Sequence, residues 1–258
     1  MATPTAMDKS RPSFAIVLPT IYGHMIVNRH DTNQTNALLK TGGAIDHAEI
    51  GLLQQILTLL GTDRWAIDVG ANFGTYTLAF ASVLRHGRGQ VHAFEAQRIL
   101  FNMVCGSVAL NGLLNVHCHN IAVGDRAGEI EIPQFDYSRE LNFGSIEFGP
   151  RQTERLSQER GRDPASIEHV PMRTIDSYGF DNVGLMKIDV EGMEMPVLEG
   201  ARHTIERCRP VLFVEFLKSD KAALFEWLRG RGYAIHALSM NFLCIPAELA
   251  DRIQIQAG

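Results

Sequence analysis

The sequence predicts an α/β fold: a seven-stranded, mostly parallel sheet with helices on both faces. Three observations lead there. From Arg64 onward, short apolar runs alternate with segments whose apolar residues recur at helical spacing, the pattern of strands joined by helical crossovers. The chain has 258 residues, 45% hydrophobic and 21% charged, which suits one large globular domain. The small-residue turn Gly70-Ala71-Asn72-Phe73-Gly74 stands between the first such run and a helix, where a strand feeds a crossover.

Residues 1–13 are polar and contain proline, and read as a flexible tail. Residues 14–62 form an N-terminal cap segment: Phe14 to Val27 as extended chain, then a helix over 44–60 with apolar residues at helical spacing and Gly61 as its stop. The main domain spans 63–258. It begins with a strand over 65–69, a helix over 74–84 and a strand over 90–95. A helix over 98–111, ended by Asn111-Gly112, and a strand over 116–123 follow. An insertion at about 126–170 breaks the rhythm; it is rich in Gly, Arg, Glu and Gln, with a hairpin near Glu129 to Ile132. A strand over 185–190, a helix over 194–208, a strand over 210–216 and a helix over 221–231 restore the alternation. The runs 233–238 and 241–245 close as an antiparallel pair. In such a sheet the ligand lies at the carboxyl ends of the central strands, where strand order reverses.

Composition excludes several classes. A net charge of -5 argues against a nucleic-acid partner, since phosphate binding draws on a basic surface. The four cysteines contain no CxxC pair, which disfavours zinc or a disulfide scaffold and fits a cytoplasmic protein. No apolar stretch nears the roughly 20 residues of a membrane span. Phe14 to Leu18 stops at Pro19, too short for a signal-peptide core.

The first strand ends at Asp68, and Gly70, Asn72, Phe73 and Gly74 form the turn into the helix. Small residues let that backbone approach a ligand, and the helix start offers N–H groups to an anion. The glycines are too sparse for the GxGxxG of a dinucleotide site; a methionine-derived carboxylate needs less exposed backbone. Glu95, followed by Ala96, closes the second strand, where an acidic residue accepts from both hydroxyls of a ribose. Asn120 ends the third strand, beside the expected place of an adenine or as part of a turn.

On these residues the chain resembles the FkbM family of methyltransferases. The resemblance runs from about Met25 to Ile245. It rests on Ile67 to Gly74, on Ala93-Phe-Glu-Ala-Gln97, on Arg173-Thr-Ile-Asp176, and above all on Met186 to Glu194 with Val197 to Ala201. Such families often carry proline after the ribose-binding glutamate; here it is Ala96. The resemblance implies a Rossmann-like class I methyltransferase fold with S-adenosylmethionine as cofactor. It further implies O-methylation of a hydroxyl on a small molecule, a sugar or a polyketide-like natural product. A nicotinamide-dependent oxidoreductase and a noncatalytic S-adenosylmethionine-binding protein stand as alternatives. Homo-oligomerisation is compatible with the sequence.

At the fourth strand, alternation places Lys187, Asp189 and Glu191 on one face. With Glu215 at the end of the fifth strand, they are the catalytic candidates. Asp189, Glu191 and Glu215 could act as a base site or hold a divalent cation such as magnesium through oxygen ligands; a structural Lys187–Asp189 pair is the alternative. Asp189 also counts among the cofactor-binding residues. Candidate acceptor-binding residues are His24, Asn142, Glu191 and Glu194. Phe135, Tyr137, Arg139, Phe143, Phe148 and Arg151 of the insertion would suit stacking on a sugar ring, or form a satellite apolar cluster.

Overall fold

The computed structural model describes residues 13–147, 156–158 and 167–253. The chain enters through a hairpin of β1 (Ala15–Thr20) and β2 (Gly23–Asn28), followed by α1 (Gln34–Thr41) and α2 (His47–Leu60). Then come β3 (Trp65–Val69), α3 (Thr75–Leu84), β4 (Val91–Phe94), α4 (Arg98–Leu110) and β5 (Val116–His119). A small sheet is made by β6 (Ala122–Val123), β7 (Gly128–Pro133) and β8 (Ile167–Arg173). The main sheet resumes with β9 (Val183–Ile188), α5 (Glu194–Gly200), α6 (Arg202–Cys208) and β10 (Val211–Glu215). Helix α7 (Lys221–Arg229) and the hairpin β11 (Tyr233–Leu238) and β12 (Asn241–Pro246) complete the main sheet and its helices.

The main sheet has seven strands in the order β11-β12-β10-β9-β3-β4-β5. The neighbours from β10 to β5 pair in parallel, and β12 runs antiparallel to β10 and β11. The chain builds outward from β3 to β5, then returns to lay β9 and β10 on the other side of β3. The reversal thus falls between β3 and β9, and the turns leaving these strands open a crevice. Both faces of the sheet are covered. Ile67, Met186, Ile188 and Val214 pack on one side. Ala66, Leu185 and Phe213 pack on the other, in a core shared with Met25, Leu38, Leu53 and Ile56 of the N-terminal cap. No helix among the described residues is long and apolar enough to cross a membrane.

Four elements differ from the sequence reading. Helix α1 has no strong apolar stripe, because it buries only Thr35 and Leu38. The expected strand over 116–123 breaks at Asn120-Ile121, and β6 leaves the main sheet to pair with β8. The expected hairpin near 129–132 is instead a long-range pairing, Gly128 opposite Met172 through Pro133 opposite Ile167. The helix over 194–208 is two helices meeting at Ala201. At the end of the first of these, a Cβ on Gly200 would sit 1.9 Å from the Gly124 carbonyl oxygen, so only glycine lets α5 abut the loop after β6.

Candidate active site at the carboxyl ends of the sheet

A cleft of about 420 Å3 opens over the ends of β3, β4, β9 and β10. Its floor is organised by one buried cation. Lys187, on β9, is 3% exposed; its Nζ lies 3.4 Å from Asp68 and 3.4 Å from Asp189 and donates to the Gly70 carbonyl at 2.7 Å. Burial opposes its charge, but the Asp189 and Asp68 carboxylates outweigh this and hold the ammonium above the usual lysine range. Asp68 also accepts from the Thr77 hydroxyl at 2.6 Å, tying the end of β3 to the helix after it. Gly70 adopts φ 78, and a Cβ there would fall 1.8 Å from the Asp189 carbonyl oxygen. The two exit turns therefore touch backbone to backbone, a contact that only glycine allows.

The turn into α3 is held from β4. Glu95 accepts from the Asn72 N–H at 2.7 Å and from the Gln97 N–H at 2.8 Å, one per carboxylate oxygen. Burial pushes its pKa up to about 7 against those two hydrogen bonds. Asn72 takes a left-handed φ of 51, uncommon for a residue with a side chain, and its buried Oδ1 has no hydrogen-bond partner. Gly70, Asn72, Glu95 and Ala96 line the cleft, as the sequence reading expects.

Asp68, Phe73, Gly74 and Asn120 do not line it. Asp68 is sealed beneath the turn by Lys187 and Thr77. Phe73 points into the core at 1% exposure. Gly74 starts α3 at φ 88. The Asn120 amide donates to the Glu95 and Ala96 carbonyls and so fixes the neighbouring loop, rather than facing a ligand.

Across the cleft, Asp189, Glu191 and Glu215 each bring a carboxylate oxygen within 4.8 Å of the others. They do not share a strand face. Strand β9 ends at Ile188, and Glu191 stands in the following turn at φ 56, so it is the turn that delivers its side chain. Lys218, just after β10, meets Glu191 at 2.5 Å. Burial, then repulsion from Asp189, raises Glu191 to about 8. Burial, then Asp189 and Glu191, raises Glu215 to about 9. The Glu215 Oε2 atom is buried without a hydrogen-bond partner.

Two predicted acceptor-binding residues are elsewhere. Glu194 is fully buried. It accepts from the Val190 and Gly192 N–H groups and from the Ser219 hydroxyl; it shapes the Glu191 turn from below. His24 sits on β2, its backbone bonded to the Asn111 side chain, outside the cleft lining. Asn142 does line the cleft. Beside it, Gly144 passes so close that a Cβ would lie 2.8 Å from the Asn72 amide nitrogen, so the insertion roofs the β3 turn. The insertion's aromatic rings neither face the cleft nor form a separate cluster: Tyr137 stacks on Phe143 with centroids 4.8 Å apart, and Phe135, Tyr137 and Phe143 join the core shared with the N-terminal cap. Arg139 is exposed, and Phe148 and Arg151 fall outside the described residues.

The structure also brings in residues that sequence reasoning missed: Gln34, Asp46 and Glu49 from the cap, Tyr76 from α3, and Lys218. Asp46 and Glu49 at the start of a helix read as helix-end charges, and Lys218 follows Glu215 by three positions in a loop at the same sheet edge. Only that last spacing could have signalled the site.

The matched region decides the family. The sequence pattern of the Methyltransferase FkbM domain matches residues 68–235. The chain belongs to the FkbM methyltransferase family. The match begins at Asp68 and contains both exit turns, Glu95, the insertion and Glu215. Over 165 residues, this FkbM chain is 22% identical to methyltransferase sdnD of Sordaria araneosa, covering 55% of this chain and 61% of that protein. The solved FkbM methyltransferase of Methylobacillus flagellatus KT is 18% identical with a TM-score of 0.49, covering 71% of this chain and 43% of that one. The tRNA (uracil-54, C5)-methyltransferase of Pyrococcus abyssi, solved with S-adenosyl-L-homocysteine, is 13% identical with a TM-score of 0.45, covering 90% of this chain and 44% of that one.

Proposed function

We propose that this FkbM chain moves a methyl group from S-adenosylmethionine to a hydroxyl oxygen of a small molecule, a sugar or natural product, with Glu215 taking the hydroxyl proton. The observation that carries this reading is the juxtaposition, in one cleft, of the Glu95-held turn and a carboxylate cluster with an unpartnered Glu215 oxygen. The cofactor fits the residues present. Each Glu95 oxygen takes one backbone N–H, so further lone pairs stay free for ribose hydroxyls. The orphaned Asn72 Oδ1 suits an α-ammonium group, and Ala96 with Ile121 to Val123 offers an apolar slot for adenine.

When bound, the cofactor supplies an electrophilic methyl on a sulfonium. The acceptor oxygen forms the new C–O bond as the C–S bond breaks, and that electron pair stays on sulfur. What the protein adds is alignment and a place for one proton. Lys187 and Lys218 hold Asp189 and Glu191, and Glu215 keeps an oxygen free to accept the proton. Asn142 and the rim residues Ile45 and Met240, both about half exposed, suit the body of the acceptor. The net charge of -5 supports a partner other than nucleic acid, and four free cysteines support a reducing, cytoplasmic setting. The test is incubation of a metabolite extract with a deuterated methyl donor. A trideuteromethyl product supports O-transfer if the label is on oxygen; S-adenosylhomocysteine binding without any product favours a noncatalytic binder, and NADH binding alone favours an oxidoreductase.

Glu95 sets a pH dependence. Ribose hydroxyls donate to the ionised carboxylate, and its pKa stands at about 7. Below that value binding must first expel a proton. S-adenosylhomocysteine affinity is therefore expected to fall roughly tenfold per pH unit below this point and to level above it. Calorimetry at a series of pH values reads this directly; a flat profile removes the ribose role.

The spacing of Asp189, Glu191 and Glu215 also meets the demand of an oxygen-liganded cation such as magnesium. Two of the three are already neutralised by lysines, Lys187 on Asp189 and Lys218 on Glu191, so the donor set is a poor fit to a divalent ion. Turnover is expected to survive EDTA unchanged; loss on chelation with recovery on adding magnesium would reinstate the metal.

A further inference from the structure

Cys105 and Cys118 are far from a sequence motif, yet the fold brings their thiols together. Cys105 lies on α4, and Cys118 lies on β5, the edge strand of the main sheet. Helix α4 packs on β5, and the Cys118 thiol donates a hydrogen bond to the Cys105 sulfur. Both thiols are free and half-buried, within reach of a small oxidant. The other two cysteines are buried and apart from them. Each donates to a backbone carbonyl, Cys208 to Phe180 and Cys244 to Phe242.

The pair stands directly behind the turn between β3 and α3. Cys118 packs on a small cluster of Ala71, Ala93 and Val104. Ala71 belongs to that turn. Val104, the neighbour of Cys105, lies against Gly74 at its other end, where a Cβ would meet the two Val104 methyl groups at 3.4 and 3.5 Å.

We propose that Cys105 and Cys118 are a redox site, joining in a reversible disulfide that shifts the turn and weakens cofactor binding. The effect on the cofactor rests on the methyl-transfer reading. The oxidant is a small disulfide such as oxidised glutathione. The Cys105 thiolate attacks one of its sulfurs, forming a mixed disulfide and expelling one glutathione thiolate. Cys118 then loses its proton and attacks the Cys105 sulfur, and the second glutathione leaves. Two protein thiols are oxidised, one glutathione disulfide is reduced to two thiols, and the two protons end on those thiols. Burial, then the neighbouring Cys105, pushes the Cys118 thiol up to about 12. Once Cys105 is held in the mixed disulfide, its charge no longer opposes ionisation of Cys118. Closing the bond draws α4 and β5 together and moves Val104 against Gly74, a shift that a densely packed core does not absorb freely.

The test equilibrates the full chain with mixtures of oxidised and reduced glutathione, quenches with iodoacetamide and maps the cysteines by mass spectrometry. Cys105 and Cys118 should escape alkylation together and appear as one cross-linked peptide pair, with Cys208 and Cys244 still thiols. Dithiothreitol should reverse the bond. By calorimetry the oxidised form should bind S-adenosylhomocysteine at least about fivefold more weakly, the lower end of coupling between two sites. Such coupling is reciprocal. Saturating S-adenosylhomocysteine should therefore move the half-oxidation point toward more oxidising mixtures by that same factor. In Cys105→Ser the same oxidant should leave the affinity unchanged. Thiols that stay free, or that carry glutathione without joining, overturn the inference. If the reduced protein does not bind S-adenosylhomocysteine, both readings fall; if it binds and the disulfide leaves its affinity unchanged, this one falls alone.

Discussion

Replacing Glu215 with glutamine is expected to lower kcat by about 10²- to 10⁴-fold, the range for loss of a general base. The substitution is close to isosteric and removes a carboxylate whose Oε2 has no partner to lose. S-adenosylhomocysteine affinity should stay within about twofold, because Glu215 closes β10 while Glu95, proposed to hold the ribose, closes β4. The pH profile separates a base from a structural carboxylate. Burial, with Asp189 and Glu191 nearby, lifts Glu215 to about 9, and only its ionised form accepts a proton. In the parent protein kcat/KM should therefore climb with pH toward that value. In Glu215→Gln the climb should be gone, leaving a low, flat rate. Glu191→Gln is the comparison: its carboxylate already receives Lys218 at 2.5 Å, so its loss should act more on geometry than on the pH limb. A Glu215→Gln protein that retains both its rate and its pH limb would move the base to another residue.

How far the site could be read in advance follows from where each residue gets its position. Gly70, Asn72 and Glu95 are placed by strand ends, and strand ends follow from hydrophobic periodicity, so these could be assigned from the chain alone. The same periodicity explains the seven-stranded sheet and its antiparallel closing pair. Asp68 and Glu194 lie in equally recognisable motifs, yet they are buried supports: a motif marks a residue the fold needs, without saying whether it meets the ligand or the turn beneath it. Alternation puts Glu191 on a strand that in fact ends three residues earlier, and only the left-handed turn, braced by Glu194, shows how it reaches the cleft. Asp46, Glu49 and Gln34 were not legible at all. Their place in the cleft depends on how α2 docks against β9 and α3, a tertiary contact with no local signature. The pairing of β7 with β8 was hidden for the same reason, since the partner strands lie on either side of a long insertion.

Substituting Lys187 with methionine is expected to destabilise the fold by about 3–5 kcal/mol, the range for breaking a buried ion pair from one side. A domain of this kind has only about 5–15 kcal/mol in total, so urea unfolding should shift far to lower concentration. The cause is specific. Asp68 is wholly buried and would lose its counter-charge, keeping only the Thr77 hydroxyl as a partner, while the Gly70 carbonyl would lose its donor. The second charge removal tests this account. Adding Asp68→Asn to Lys187→Met takes away the stranded carboxylate and should return much of the lost stability. It cannot return the Lys187 bond to the Gly70 carbonyl, which fixes the turn proposed to hold the cofactor. The double variant should therefore fold well and still bind S-adenosylhomocysteine weakly. If stability and affinity recover together, the lysine serves the fold alone; if neither recovers, the cost lies in lost packing rather than in the stranded charge.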